Sequence, residues 1–160
     1  MSGRKRVLFL DDDHRRIETI RSHPSSAAWD LTVVETADAC IARLDEGVFD
    51  LVMLDHDLGG EIYCDSDRED CGMEVVRWLR RNRKDHGAFI VHTMNPVAAA
   101  SMYIELSSMG YPVAQSTFGS PEFYRNIGLL LGEKAEIPKG SKKSLSERAQ
   151  QYIRSLRRGK

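Results

Sequence analysis

Five short apolar runs alternate with amphipathic stretches along most of the chain. The runs are Val7–Leu10, Leu31–Val34, Leu51–Asp55, Phe89–Val91 and Tyr111–Gln115, each bounded by polar or turn residues. Runs this short and this continuously apolar are the pattern of strands buried on both faces. The stretches between them carry helix signals. His14–Ser22 follows Asp13 as N-cap and stops before Pro24. Thr36 caps a stretch running to Glu46, with Ala37, Cys40, Ile41 and Leu44 on one face and Gly47 at its end. Gly72–Arg83 turns Val75, Val76 and Leu79 inward. Asn95–Pro96 opens a helix that reaches Met109 and stops at Gly110, and Ser120–Pro121 opens another through about Leu131.

Strand–helix alternation repeated five times predicts an α/β fold, a parallel sheet between two layers of helices. Short strands in a small domain point to the flavodoxin-like order 2-1-3-4-5, in which strands one, three and four lie side by side. The third run ends in Asp55–His56–Asp57–Leu58–Gly59–Gly60, the first in Asp11–Asp12–Asp13 and the fourth in His92–Thr93. That topology gathers Asp11, Asp12, Asp55, His56, Asp57, His92 and Thr93 at the carboxyl edge of the sheet, where open parallel sheets bind ligands.

The 160 residues are enough for one domain with a full core, read as 1–131, followed by a linker and basic helix over 132–160. In the tail, Ser144–Leu145–Ser146–Glu147 matches a capping box. A helix from there to about Arg158 would carry Leu145, Ala149, Tyr152, Ile153 and Leu156 as its apolar stripe. Net charge is −1, but residues 133–160 hold nine Lys/Arg and three Glu, a net of +6 against −7 for the rest. An acidic body with a basic tail suggests docking of that tail or self-association through it. Without a pattern of stacking aromatics, nucleic acid is disfavoured as a partner. No apolar run reaches the roughly 18 residues a membrane helix needs, and no signal-peptide pattern is present, so a cytoplasmic protein is expected.

The cysteines Cys40, Cys64 and Cys71 form no metal or redox motif, and an odd number argues against a disulfide framework. Cys40 belongs to an apolar helix face. Cys64 and Cys71 fall in the polar 58–71 segment, where oxidation could pair them. That segment carries Glu61, Asp65, Asp67, Glu69 and Asp70 and is too long for a tight strand-to-helix turn, so it reads as a lid or a mobile insertion.

At these residues the chain resembles the receiver domains of response regulators. Asp11–Asp12 match the receiver's metal-binding acids, Asp55 its phosphoacceptor and Thr93 its switch hydroxyl. The resemblance spans about Arg6 to Leu131 and implies the flavodoxin/CheY-like three-layer sandwich. Two departures stand out. Receivers carry a Lys-Pro pair after strand five, and here Gln115–Ser116–Thr117–Phe118 has no lysine. Histidines are also rare beside a receiver's aspartates, and here His56 and His92 stand there. Leu-Asp-His-Asp-Leu-Gly together with His-Thr-Met-Asn-Pro is more similar to one offshoot, the cyclic-phosphate processing receiver-like domain.

Several carboxylates in one small site repel one another, and a divalent cation relieves that repulsion. Asp11, Asp12, Asp55 and Asp57 are therefore the expected metal ligands, with Mg2+ or Mn2+ as the ion. His56 and His92 are candidate general acids beside Asp55, and Thr93 and Asn95 candidate phosphate-binding groups. Each also has an ordinary structural role open to it: Asp13 and Asn95 as caps, Thr93 as the end of a strand, and the histidines as satisfied buried rings. The expected function is a metal-dependent phosphoesterase acting on a cyclic phosphate or cyclic nucleotide. The alternatives are an atypical receiver that signals through Asp55 and a sensor that binds a cyclic nucleotide without cleaving it.

Overall fold

The structure is a computed structural model that describes residues 3–138. The basic helix expected over 144–158, and the self-association expected through it, lie outside the described residues. Five parallel strands, β1 (Lys5–Leu10), β2 (Trp29–Val34), β3 (Leu51–Leu54), β4 (Ala88–Val91) and β5 (Val113–Gln115), form one sheet in the order β2-β1-β3-β4-β5. The helices are α1 (His14–Arg21), α2 (Ala37–Glu46), α3 (Gly72–Arg81), α4 (Pro96–Ser108) and α5 (Pro121–Leu131). The expected flavodoxin-like order is the observed one.

Alternation along the strands builds two cores. Leu8, Leu10, Val52, Leu54, Phe89 and Val91 face α2, α3 and α4, meeting Cys40, Leu44, Val75, Val76, Leu79, Met102 and Leu106. Val7, Phe9, Leu51, Met53 and Ile90 face α1 and α5, meeting Ile17, Ile20, Phe123, Tyr124 and Ile127. Register keeps each stripe continuous, since Val7 pairs Leu51 and Leu10 pairs Leu54. A sheet covered on both faces needs near-continuous apolar strands, which is why these runs show no polar alternation.

The expected caps form. Asp13 accepts from the N–H groups of Arg15 and Arg16, Thr36 from Ala39, Asn95 from Ala98 and Ser120 from Phe123. Boundaries move where a neighbour overrides local pattern. β2 begins two residues early at Trp29, after an unanticipated 3-10 turn at Pro24–Ala28. Tyr111 leaves β5 because its hydroxyl donates to the Lys84 carbonyl at 2.6 Å. α3 stops at Arg81.

Two glycines hold β3 at its ends. The Gly72 N–H donates to the His56 carbonyl, and a Cβ there would lie 2.0 Å from the Asp55 carbonyl oxygen. The Gly87 N–H donates to the Phe49 carbonyl, and a Cβ there would lie 2.2 Å from the Asp50 carbonyl oxygen. Beyond α5 the chain turns back at Gly132, where φ is +68°. The segment read as linker begins by packing on the body: Glu133 accepts from the Trp29 indole N–H at 3.2 Å, and the Glu136 carbonyl meets His23 Nε2 at 3.0 Å. No helix among the described residues is long and apolar enough to cross a membrane.

Candidate functional site

The carboxyl ends of β1 and β3 place Asp11 and Asp55 side by side, because each residue continues its strand's hydrogen bonding for one more step. Asp11 N–H donates to Val34 and Asp55 N–H to Leu10. With Asp12 they form a group whose carboxylate oxygens lie within 4.8 Å of one another. Asp11 is fully buried and Asp55 4% exposed. Burial, reinforced by the charge of Asp55, pushes the Asp11 carboxyl up to about 7. Burial also raises Asp55, against the pull of Arg16, the His56 N–H and the Thr93 hydroxyl. Arg16, on the first turn of α1, sits between them. Its Nη1 is 3.3 Å from Asp11 Oδ2 and 3.3 Å from Asp55 Oδ2, and its guanidinium lies 5.5 Å from the centre of the Phe118 ring.

Asp12, Arg16 and Asp55, with Asp57 and Thr93, line a cleft of about 470 Å3 above the buried Asp11, and Ile62, Tyr63 and Met94 stand on its rim. The rim residues are 80%, 67% and 64% exposed. The wall comes from the segment after β3. Gly59 and Gly60 take φ of +74° and +75°, and the Gly60 N–H reaches across to Asp12 Oδ2 at 2.7 Å. The segment is anchored along its length. Arg68 pairs with Glu61 and Asp70, and Arg77 donates to the carbonyls of Ser66 and Arg68 at 2.6 and 2.7 Å. Cys64 and Cys71, expected on a polar loop, are instead buried among Leu58, Met73 and Val75, because the segment folds down onto its own apolar residues.

Not every expected site residue joins the acidic group. Asp57 lines the cleft but turns its Oδ1 to His56 Nδ1 at 2.8 Å and to the Cys64 N–H at 3.2 Å, while Oδ2 accepts from the Tyr63 N–H. Burial alone would raise its carboxyl, but these donors hold it below the usual range. The His56 ring is fully buried beneath the segment, with Nε2 3.0 Å from the Ser66 hydroxyl, so both ring nitrogens are engaged away from the cleft. Asn95 caps α4 and donates to Asp57 at 3.4 Å, a structural duty in place of the expected phosphate contact.

His92 departs furthest from expectation. Its ring is fully buried under Asp11, stacked 5.1 Å from Phe9 and packed edge-on against Phe118 and Phe123. Among the described residues, neither ring nitrogen has a hydrogen-bond partner. Asp11 Oδ2, the facing carboxylate, is 3.7 Å from Nδ1. Burial, with Arg16 nearby, pushes the ring down to about 3. A neutral imidazole sealed in an aromatic pocket cannot deliver a proton to a ligand in the cleft. Thr93, next in sequence, does reach the cleft, and its Oγ1 accepts from the Asn95 N–H at 3.2 Å.

Sequence reasoning passed over Arg16, the one guanidinium between the two buried carboxylates. Its signal was slight: a basic residue three positions after the Asp13 cap, next to the core-facing Ile17 on a helix whose other polar residues face solvent.

The profile of the cyclic-phosphate processing receiver domain matches residues 6–108. Solved structures with similar folds include three receivers or response regulators. One is a signal receiver domain from Vibrio parahaemolyticus, 19% identical with a TM-score of 0.59, covering 81% of this chain and 91% of that one. Another is a CheY-like response regulator receiver domain protein from Methanospirillum hungatei, 17% identical with a TM-score of 0.59, covering 82% and 95%. A third is a response regulator from Thermotoga maritima, 23% identical with a TM-score of 0.55, covering 79% and 99%. A search of curated proteins finds no match. With 103 of its residues matched and the strand-end acids in place, the chain belongs to the cyclic-phosphate processing receiver domain family.

Proposed function

We propose that the cleft is the active site of a metal-dependent phosphoesterase that opens a cyclic phosphate, with a cyclic nucleotide as the best fit to its rim. The observation that carries the reading is the acidic trio Asp11, Asp12 and Asp55 with Arg16 wedged into it at the cleft. Three carboxylates and one guanidinium leave a formal charge of −2, which repels a phosphodiester. A divalent cation cancels that charge, so substrate binding and cation binding belong together. The donor set is all oxygen, which suits Mg2+ or Mn2+. The Thermotoga maritima response regulator named above was solved in complex with Mg2+ and BeF.

A cation held by Asp11, Asp12 and Asp55 would polarise a phosphoryl oxygen and balance the charge that builds on it. The remaining tasks fall to the chain. Arg16 offers a planar fork of donors to the non-bridging oxygens, in place of the lysine that is absent after β5, and Phe118 from that stretch supports its guanidinium. The Thr93 hydroxyl supplies a neutral donor. As water adds to phosphorus and one ester P–O bond breaks, a proton from that water ends on the leaving alkoxide oxygen, and Asp55, ionised as a ligand, would hold the cation at the edge of the cleft. His56 acts at one remove, by fixing Asp57 as a wall. Tyr63, Ile62 and Met94 offer apolar and stacking surface to a base or ribose.

The test is a turnover screen. Purified protein with Mn2+ or Mg2+, and then with EDTA, is incubated with 2′,3′- and 3′,5′-cyclic nucleotides and read by chromatography. Metal-dependent monoester product that is lost in Asp12→Asn supports the reading. No product, with Asp55 modified by acetyl phosphate, overturns it in favour of a signalling receiver, and binding without product overturns it in favour of a sensor.

A further inference from the structure

We infer that His56, Asp57 and Cys64 form a second cation site, distinct from the acidic trio and suited to a zinc-class ion. The three donor atoms lie within 4.8 Å of one another and make a closed triangle. Its edges are 2.8 Å from His56 Nδ1 to Asp57 Oδ1, 3.4 Å from Cys64 Sγ to Asp57 Oδ1, and 3.7 Å from Cys64 Sγ to His56 Nδ1. A tetrahedral zinc ion with ordinary bond lengths holds nitrogen, oxygen and sulfur donors about 3.3–3.6 Å apart. The 3.4 Å edge lies in that range and the 3.7 Å edge just above it, and the short 2.8 Å edge is spanned by a shared proton. Exchange of that proton and the thiol proton for a dication lets the short edge open by about half an ångström.

The donor chemistry separates this site from the first. Sulfur, imidazole and carboxylate together favour zinc over Mg2+ or Ca2+, which take oxygen alone. The surroundings are those of a ligand set held in place. The His56 ring is fully buried, and with an ion on Nδ1 its Nε2–H points at the Ser66 hydroxyl 3.0 Å away, the outer hydrogen bond that orients metal-bound imidazoles. Asp57 is further fixed by the Asn95 amide and the Tyr63 N–H. Three protein ligands leave a fourth position for water.

The consequence is structural and regulatory. His56 and Asp57 follow β3 directly, whereas Cys64 lies in the middle of the segment that walls the cleft. An ion across them ties that wall to the sheet and holds Tyr63 beside the acidic trio. The site shares the wall residues His56 and Asp57 with the phosphoesterase reading but uses none of the trio, and its test does not depend on turnover.

Cobalt titration of the whole chain tests it, because a thiolate on Co2+ gives a near-ultraviolet charge-transfer band that an all-oxygen site cannot. The expected result is that band at one equivalent, retained in Asp12→Asn and Cys71→Ser, lost in Cys64→Ser, and displaced by one equivalent of Zn2+. Absence of the band in the unaltered chain overturns the site whether or not any variant folds. Persistence in Cys64→Ser, or loss in Cys71→Ser, overturns the ligand assignment. Cobalt binding without the band marks the trio alone and also overturns it.

Discussion

The two ends of β3 carry the same residue type in opposite circumstances. Asp50 precedes the strand and Asp55 follows it. Asp50 exchanges hydrogen bonds with Arg6, whose N–H reaches Oδ2 at 2.8 Å, and its carboxylate is 44% exposed beside Lys5. Arg6 in turn donates to the Val48 carbonyl and lies over the Phe49 ring. Each charge there is matched by the chain or met by solvent. Asp55 is buried against Asp11, with Arg16 shared between two carboxylates and an unpartnered imidazole beneath. Among the described residues, the second end is left short of positive charge. On the proposed reading a cation completes those charges, and that is what would set the carboxyl edge apart from the self-sufficient amino edge.

Exchanging the charges breaks the comparison most sharply. Asp55→Asn is expected to lower metal-dependent turnover by at least the roughly 100-fold that even outer partners of a metal can supply, with the melting temperature unchanged or raised because a buried repulsion disappears. Asp50→Asn, at the matched end, should shift stability by no more than about 0.5 kcal/mol and leave turnover alone. Parallel turnover and thermal unfolding measurements decide it, and a fall in melting temperature for Asp55→Asn would show that end to be structural as well. Arg16→Ala strips the acids of their own cation. Stability in EDTA should fall by about 1–3 kcal/mol and recover on adding Mn2+, whereas the unaltered chain gains less from the metal.

The paired glycines sharpen the contrast. Gly72→Ala and Gly87→Ala each drive a Cβ into a carbonyl oxygen at an end of β3, and overpacking of this kind costs about 1–3 kcal/mol. Both variants should unfold earlier in urea to a similar degree. Only Gly72→Ala moves Asp55 and His56, so only it should weaken Mn2+ binding by calorimetry. Equal metal affinity in both would mean that the Asp55 carboxylate tolerates displacement of its backbone.

Much of this was legible in the sequence. Apolar runs and caps are local signals, strand–helix alternation implies a parallel sheet, and short strands in a small domain point to its order, so the meeting of Asp11, Asp12, Asp55 and Thr93 could be read from the sequence. What could not be read depends on contacts between distant elements. His92 is sealed because Phe118 and Phe123 close over it from beyond β5, and Arg16 turns inward because two buried carboxylates draw it there. Asp57 leaves the acids because the neighbouring ring of His56 takes its oxygen. Cys64 and Cys71 looked polar by their neighbours, yet the segment buries them.

The smallest effect concerns protons, and it sets two buried histidines against Asp11 by sign. His86, at the amino end, accepts from the Phe49 N–H, and burial pushes its ring down from 6.5 to about 4. Between those values the unfolded chain binds a proton that the folded chain refuses, so stability rises with pH across the window and levels off above 6.5. His92 adds to that rise, being held down to about 3. Asp11 acts the other way. Burial, with Asp55 beside it, holds its carboxyl up at about 7 against an ordinary 3.8, so the folded chain keeps a proton the unfolded one has released, and stability falls as pH climbs from about 4 to 7. Thermal unfolding between pH 4 and 7.5 in EDTA should therefore show a muted dependence in the unaltered chain. Asp11→Asn should steepen the rise with pH, and His86→Gln should flatten it further. Mn2+ should mimic Asp11→Asn above pH 6, because the cation takes the place of the proton. If the metal changed the slope of His86→Gln and not that of the unaltered chain, the proton displaced would not be the one on Asp11.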